Sequence, residues 1–196
     1  MLPKEKRPIL EHGPFQIDDQ LPSEGVDKYE LLSGIIPPSA LDPMIDILCS
    51  QFEDLGMEMN PRGLIGNSAL AHRLQIWADQ ECTPDQAQRL KDRLFQIHSC
   101  QGKSMGDVEN IVKAAFKAGL TNPEKIRKIL KSSKYASKLK KMKCHAYQSL
   151  DIRSVPCLIV IENNGKQRKL EEATTIETVD GFVDLLDQNL CVYNCN

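Results

Sequence analysis

Apolar positions change their spacing twice along this chain, and the changes divide it into three stretches. From Pro8 to Ile17 they fall in a short run interrupted by Pro8 and Pro14, which predicts an edge strand or a strand with breaks. Asp18 to Glu24 is polar, contains Pro22 and reads as a loop. A short helix is predicted from about Asp27 to Ser33, with Pro37-Pro38 stopping it. The spacing then becomes helical: Leu41, Met44, Ile45, Leu48, Phe52 and Leu55 trace one stripe, with Asp42 as cap and Pro43 in the first turn. Asn67 caps a helix carrying Leu70, Leu74, Trp77 and Ala78. Thr83-Pro84-Asp85-Gln86 is a capping box ahead of Ala87, Leu90, Leu94 and Ile97. A further helix runs from Asp107 to Ala118 and ends at Gly119, and Asn122-Pro123 opens the next, with Ile126, Ile129 and Leu130. Tyr135, Leu139, Met142 and Ala146 mark the last of this block. Beyond it, Cys157 to Glu162 is apolar enough for a fully buried strand, and Asn163-Asn164-Gly165 is a hairpin turn. Lys166 to Glu171 reads as an exposed edge strand, and Val179, Phe182, Val183, Leu185 and Leu186 as a terminal amphipathic helix.

Composition narrows the class. At 196 residues and 41% hydrophobic, the chain has enough apolar material for a proper core, and its low aromatic share makes that core aliphatic. A net charge of −2 gives no global pull toward nucleic acid or a membrane surface. No apolar run approaches the about 20 residues needed to span a bilayer, and the basic start at Met1 to Arg7 has no apolar stretch behind it. A soluble, cytoplasmic protein is expected. The seven cysteines are an odd number, scattered through helical segments, with no Cys-x-x-Cys pair, which argues against a secreted disulfide framework.

Four segments carry a resemblance. Pro14-Phe15-Gln16-Ile17-Asp18-Asp19, followed by Leu21 to Asp27, is similar to a Pro-Phe-x-Leu-Asn-Pro segment after a second strand. Gly66 to Arg73 is similar to an Asn-Thr-x-x-Ala-His-Arg helix start, and Phe95 to Asp107 to a Phe…Glu-Gly-x-x-Ile-x-Asp segment. Ser154-Val155-Pro156 is similar to a Gly-Val-Pro turn with a cis proline. In this order they resemble the DsbA-like thioredoxin superfamily, in its FrnE-like branch near the 2-hydroxychromene-2-carboxylate isomerases and kappa-class glutathione transferases. The resemblance implies an α/β, thioredoxin-like fold with a large helical insertion: residues 1–36 and 151–196 in the thioredoxin-like part, 37–150 in the insertion. It implies thiol–disulfide exchange as the family chemistry and a cis Val155-Pro156 bond lying against the redox centre. The backbone before that proline would pair with an extended, thiol-bearing peptide or protein substrate.

Three departures qualify that expectation. Family members begin with a strand and a Cys-bearing helix. This chain starts at the second strand, so the first βα unit is expected to be missing, and with it the helix N-terminus that activates a thiolate. The strand at Pro8 to Ile17 would then lack its parallel neighbour, and must pair differently, stay loose or accept a strand from another chain, which leaves a homo-oligomer open. Glu171-Glu172-Ala173-Thr174-Thr175 replaces a glycine-containing turn, which weakens the implied glutathione site; no other cofactor is expected. Cys157 follows the proline where relatives often carry an aromatic or other apolar residue.

The residues singled out have plainer readings as well. Val155 and Pro156 bind substrate in the family and otherwise open a hairpin. Cys157 is a resolving thiol or, the favoured reading, a small buried hydrophobe. His72 is a general base if a nucleophile lies within reach, and otherwise a polar contact that orients the insertion. Cys191 and Cys195 hold a metal or a labile disulfide, or belong to a frayed tail with exposed thiols, which is favoured; no metal site is expected. The basic run from Lys125 to Lys143 has only Tyr135 interleaved, so wet helix faces are expected in place of a nucleic-acid surface. No catalytic residue is assigned. The substrate-binding candidates are Val155, Pro156, Asn67 and His72, with Cys157 as the candidate redox thiol. The expected function is that of a DsbA-like thioredoxin-domain protein with little or no dithiol catalysis in this chain. The alternative is a non-catalytic peptide-binding module.

Overall fold

Residues 10–16, 18–162, 167–171 and 190–195 are described in a computed structural model of the chain. Among them are seven helices and six strands, a mixed α/β arrangement that is mostly helical. The chain divides into two compact units, one formed by Asp18–Leu139 and the other by the segments on either side of it. The division falls after residue 17 and after residue 139, inside α7 (Ala136–Gln148).

The helical unit starts with the two-residue strand β2 (Val26–Asp27), paired antiparallel with β3 (Leu64–Ile65). Asp27 then caps α1 (Lys28–Ser33), its carboxylate accepting from the backbone N–H of Tyr29 and Glu30. Pro37 and Pro38 do more than stop α1: Pro37 is the cap and Pro38 the first residue of α2 (Pro38–Asp54). Asp42 is therefore no cap. It lies inside α2 and accepts a hydrogen bond from the Tyr29 hydroxyl at 2.7 Å. Pro43 lies inside the helix as well.

The next four helices behave as their apolar spacing demands. They are α3 (Ala69–Glu81), α4 (Pro84–Ser99), α5 (Val108–Lys117) and α6 (Pro123–Lys131). Thr83 and Gln86 make both halves of the capping box. Asp107 and Asn122 cap α5 and α6 through their side chains. Gly119 follows the α5 C-cap at φ +89°, a left-handed backbone that glycine adopts without penalty. The inward stripes of the four helices meet in one core around Leu74, Trp77, Leu90, Ile111, Ala115 and Ile126. Each large aliphatic side chain buried this way contributes roughly 1.5–3 kcal/mol.

The other unit holds a four-stranded sheet of order β1-β6-β4-β5. Its strands are β1 (Leu10–Gly13), β4 (Cys157–Glu162), β5 (Gln167–Glu171) and β6 (Leu190–Cys195). β4 and β5 are antiparallel, and β5 is one of the two outer strands among the described residues, as its polar sequence predicts. The last described helix, α7 (Ala136–Gln148), supplies Ala146 to the core beneath this sheet.

The sequence expectation fails most clearly at β6. Cys191 and Cys195 are not in a frayed tail; they belong to a strand that runs parallel to β1 and antiparallel to β4. β1 thus has a parallel neighbour within its own chain. The physical reason is backbone satisfaction. A strand between two others pairs N–H and C=O groups on both of its sides, and unpaired groups there would be costly. The Asn163–Gly165 turn, residues 172–175 and the terminal helix expected through Val179 to Leu186 lie outside the described residues.

Candidate functional site

The candidate site is built where α7 gives way to β4. The end of α7 is closed by its own chain: Ser149 and Leu150 N–H donate to His145 C=O, and Ile152 N–H donates to Ala146 C=O. Asp151 takes a left-handed backbone (φ +48°), which aspartate tolerates better than most residues. The Lys169 ammonium, reaching from β5, donates to the Asp151 carbonyl at 2.5 Å and holds this turn to the sheet. Ile152 is fully buried, Val155 and Pro156 are half-buried, and the Val155-Pro156 bond is cis as the resemblance implied.

Cys157 follows at 0% exposure. It packs in one apolar cluster with Phe15, Ala146, Ile152 and Ile159, against which Val155 also rests. The Pro14-Phe15-Gln16 segment is held here by α7. The Phe15 and Tyr147 rings lie 5.2 Å apart. The Tyr147 hydroxyl donates to the Gln16 carbonyl at 3.2 Å, and the Lys143 ammonium donates to Gln16 Oε1 at 3.0 Å. Gln16 is only 5% exposed, so its amide needs that partner. Two of the stretches singled out by resemblance, Pro14-Phe15-Gln16 and the one at 154–156, therefore come together around the buried thiol.

The other singled-out segments meet in the helical unit. Ser104 Oγ donates to the Ser23 carbonyl at 2.7 Å and accepts from Gly106 N–H. A Cβ on Gly66 would fall 2.1 Å from Ser104 Oγ, and one on Gly63 would fall 2.0 Å from the Gly102 Cα, so side chains are excluded at both. Asn67 does not occupy the N-cap position, which Ser68 does. Its Oδ1 still accepts from Ala69 N–H at 2.9 Å, while its Nδ2 donates to the Asp19 carbonyl at 2.7 Å. Asn67 thus ties the loop after Gln16 to the start of α3. His72 is half-buried in the first turns of α3.

Arg73, beside it, ends the Gly66 to Arg73 segment but has no role assigned from the sequence. That guanidinium is 9% exposed and donates to the backbone carbonyls of Ile129, Ser132 and Lys134. A buried arginine surrounded by carbonyls is a joint between segments, and no spacing rule for candidate chemistry selects it. Lys28 likewise has no role assigned from the sequence. It is 8% exposed, its ammonium donates to the His98 carbonyl at 2.5 Å, and burial lowers its pKa below the ordinary lysine value.

A family model, the DSBA-like thioredoxin domain, matches residues 9–184. The chain belongs to the DSBA-like thioredoxin domain family. A search of curated proteins finds no match. The DSBA-like match covers β1, both segments around Cys157 and all seven described helices, while β6 lies beyond it. The family is of the thiol–disulfide oxidoreductase type, so the placement of thiols in this DSBA-like domain decides what it can do.

None of the seven cysteines lies in the first turn of a described helix. Cys49 is well inside α2, Cys82 and Cys100 are the C-caps of α3 and α4, and Cys144 is late in α7. At those ends the helix dipole opposes a thiolate. Burial raises the Cys82 pKa above the ordinary thiol value; Glu81 and Asp79 add to the rise and Lys125 opposes it. In the basic run, Lys125, Lys128, Lys131, Lys134, Lys138, Lys140 and Lys141 are exposed, while Ile126, Ile129, Leu130 and Leu139 are buried. Arg127 is paired with Glu109 and Glu124. No described helix is long and apolar enough to cross a membrane.

Proposed function

We propose that this chain uses the DsbA-like scaffold to hold extended, thiol-bearing peptides or proteins, with little or no dithiol turnover of its own. The observation that carries this reading is the distribution of thiols: there is no Cys-x-x-Cys in the sequence, and no cysteine in the first turn of a described helix. Nucleophilic thiol catalysis needs a stabilised thiolate, which a helix N-terminus or a cationic partner supplies. The peptide would lie along the chain at Val155-Pro156, whose backbone precedes the buried strand β4. Asn67 and His72 belong to the same reading as substrate-side residues of the helical unit. Among the described residues no strand lies against the outer side of β5, which favours the second reading, a purely peptide-binding module that works by strand addition. A reducing, cytoplasmic setting fits both.

The test is insulin reduction by dithiothreitol, followed as turbidity. The purified chain should leave the onset of precipitation where dithiothreitol alone sets it. Acceleration that is abolished by a single cysteine-to-serine change would identify a working thiol and overturn the reading.

A further inference from the structure

In the antiparallel ladder between β4 and β6, Cys157 is the direct register partner of Cys195. Directly opposed residues in such a ladder have Cα atoms about 4.5–5.5 Å apart and share one face of the sheet. A disulfide needs Cα atoms about 4.4–6.8 Å apart, so the register meets its first requirement without moving the backbone.

We propose that Cys157 and Cys195 are a redox dithiol of this protein, which closes to a cross-strand disulfide and ties β6 to β4. Cys191 does not compete. Its register partner is Ile161, and it stands four positions along the strand from Cys195, a span of about 13 Å. The same spacing separates it from the position of Cys157. The pairing Cys191–Cys195 considered from sequence alone is therefore excluded by an extended backbone.

The oxidant is a small disulfide such as oxidised glutathione. When β6 opens from β4, the Cys195 thiolate attacks one glutathione sulfur. A protein–glutathione disulfide forms, and the other glutathione leaves as thiolate. As β6 re-pairs, the Cys157 thiolate attacks the Cys195 sulfur, the second glutathione departs, and the Cys157–Cys195 bond is made. Two protein thiols lose two protons and two electrons, and one oxidised glutathione becomes two reduced ones. The product suits its surroundings: a neutral disulfide takes the place of a buried thiol among Phe15, Ala146, Ile152 and Ile159. The event is one oxidation per chain, so it stands apart from the turnover question above. One of its two cysteines, Cys195, lies on a strand beyond the residues matched by the family model.

The experiment uses the full chain, incubated with oxidised glutathione, blocked with N-ethylmaleimide and digested with trypsin. Cleavage after Arg153, Lys166 and Lys169 places Cys157 in the peptide 154–166 and Cys195 in the peptide 170–196. These two should be disulfide-linked in the unaltered chain and in Cys191→Ser, and unlinked in Cys195→Ser. A second digestion with chymotrypsin, cutting after Tyr193, separates Cys191 from Cys195 and reads the pairing even where a variant folds poorly. The oxidised chain should melt several degrees above the reduced chain and return with dithiothreitol. Linkage through Cys191, or an oxidised chain in which Cys157 and Cys195 are unlinked, would overturn the proposal.

Discussion

His98 shows how far a residue's role can depend on where the chain carries it. Nothing in Phe95 to Cys100 marks this imidazole in the sequence. The fold places it in the last turn of α4, half-buried, with the Lys28 ammonium bonded to its own carbonyl. Burial first, and the Lys28 charge second, lower its pKa to about 4. In the unfolded chain an ordinary histidine titrates near 6.5. Between those values the unfolded state binds more protons than the folded one, so stability declines as pH falls from about 6.5 to about 4. Above that window His98 is neutral in both states and contributes no pH dependence. Allowing for its partial exposure, the loss should be about 1–2 kcal/mol. Urea midpoints at pH 7, 5.5 and 4 should fall further for the unaltered chain than for His98→Gln. Parallel declines in the two proteins would mean that His98 is not the titrating group.

The helices were legible because their signals are local. Thr83 with Gln86, Asp107, Asn122 and Gly119 each announce an end within a few residues, and each does what its chemistry suggests. Pro43 misled because a proline usually marks a helix start, whereas here Pro37-Pro38 set the start and Pro43 lies inside the helix, where it gives up one backbone hydrogen bond. β6 was illegible because Leu190–Cys195 has no alternation that demands a strand; its pairing partners are β1 and β4, far away in sequence. The role of Arg73 was hidden for the same reason, since the carbonyls it serves lie in the last turn of α6 and in the turn after it, far away in sequence. Its guanidinium joins α3 to the turn that separates α6 from α7. Removing it leaves several carbonyls without a charged donor, each such bond contributing about 1.5–3 kcal/mol. Arg73→Met should therefore lower unfolding stability by about 2–4 kcal/mol, and Arg73→Lys should recover only part, because an ammonium lacks the planar fork. Urea denaturation monitored at Trp77, on the same helix, measures both. Equal stability in all three proteins would show that the carbonyls do not depend on Arg73.

Across the whole molecule, the resemblance carried the family correctly, and the mixed α/β class with it, but the division into units had to come from the fold. The candidate site was half legible: Val155, Pro156 and Cys157 stand at one junction with Phe15, while the strand opposite Cys157 was not foreseen. The two units differ in how their described cores are built. The helical unit closes an aliphatic core from four successive helices, where most contacts are local. The sheet unit gathers β1, β4 and β6 from distant parts of the chain around a smaller described cluster. Local opening follows the least buried apolar surface, and a ladder opens as a piece when its central strand leaves. Native-state hydrogen exchange in rising urea should therefore release Leu10–Gly13 and Cys157–Glu162 together, at a lower urea concentration than the amides of α4 and α5. Oxidation of the chain should narrow that gap, because a bond from Cys157 to Cys195 would keep β6 in the centre of the sheet. Release of all four segments at one urea concentration, with and without oxidation, would instead show a single cooperative body in which β6 has no separate hold.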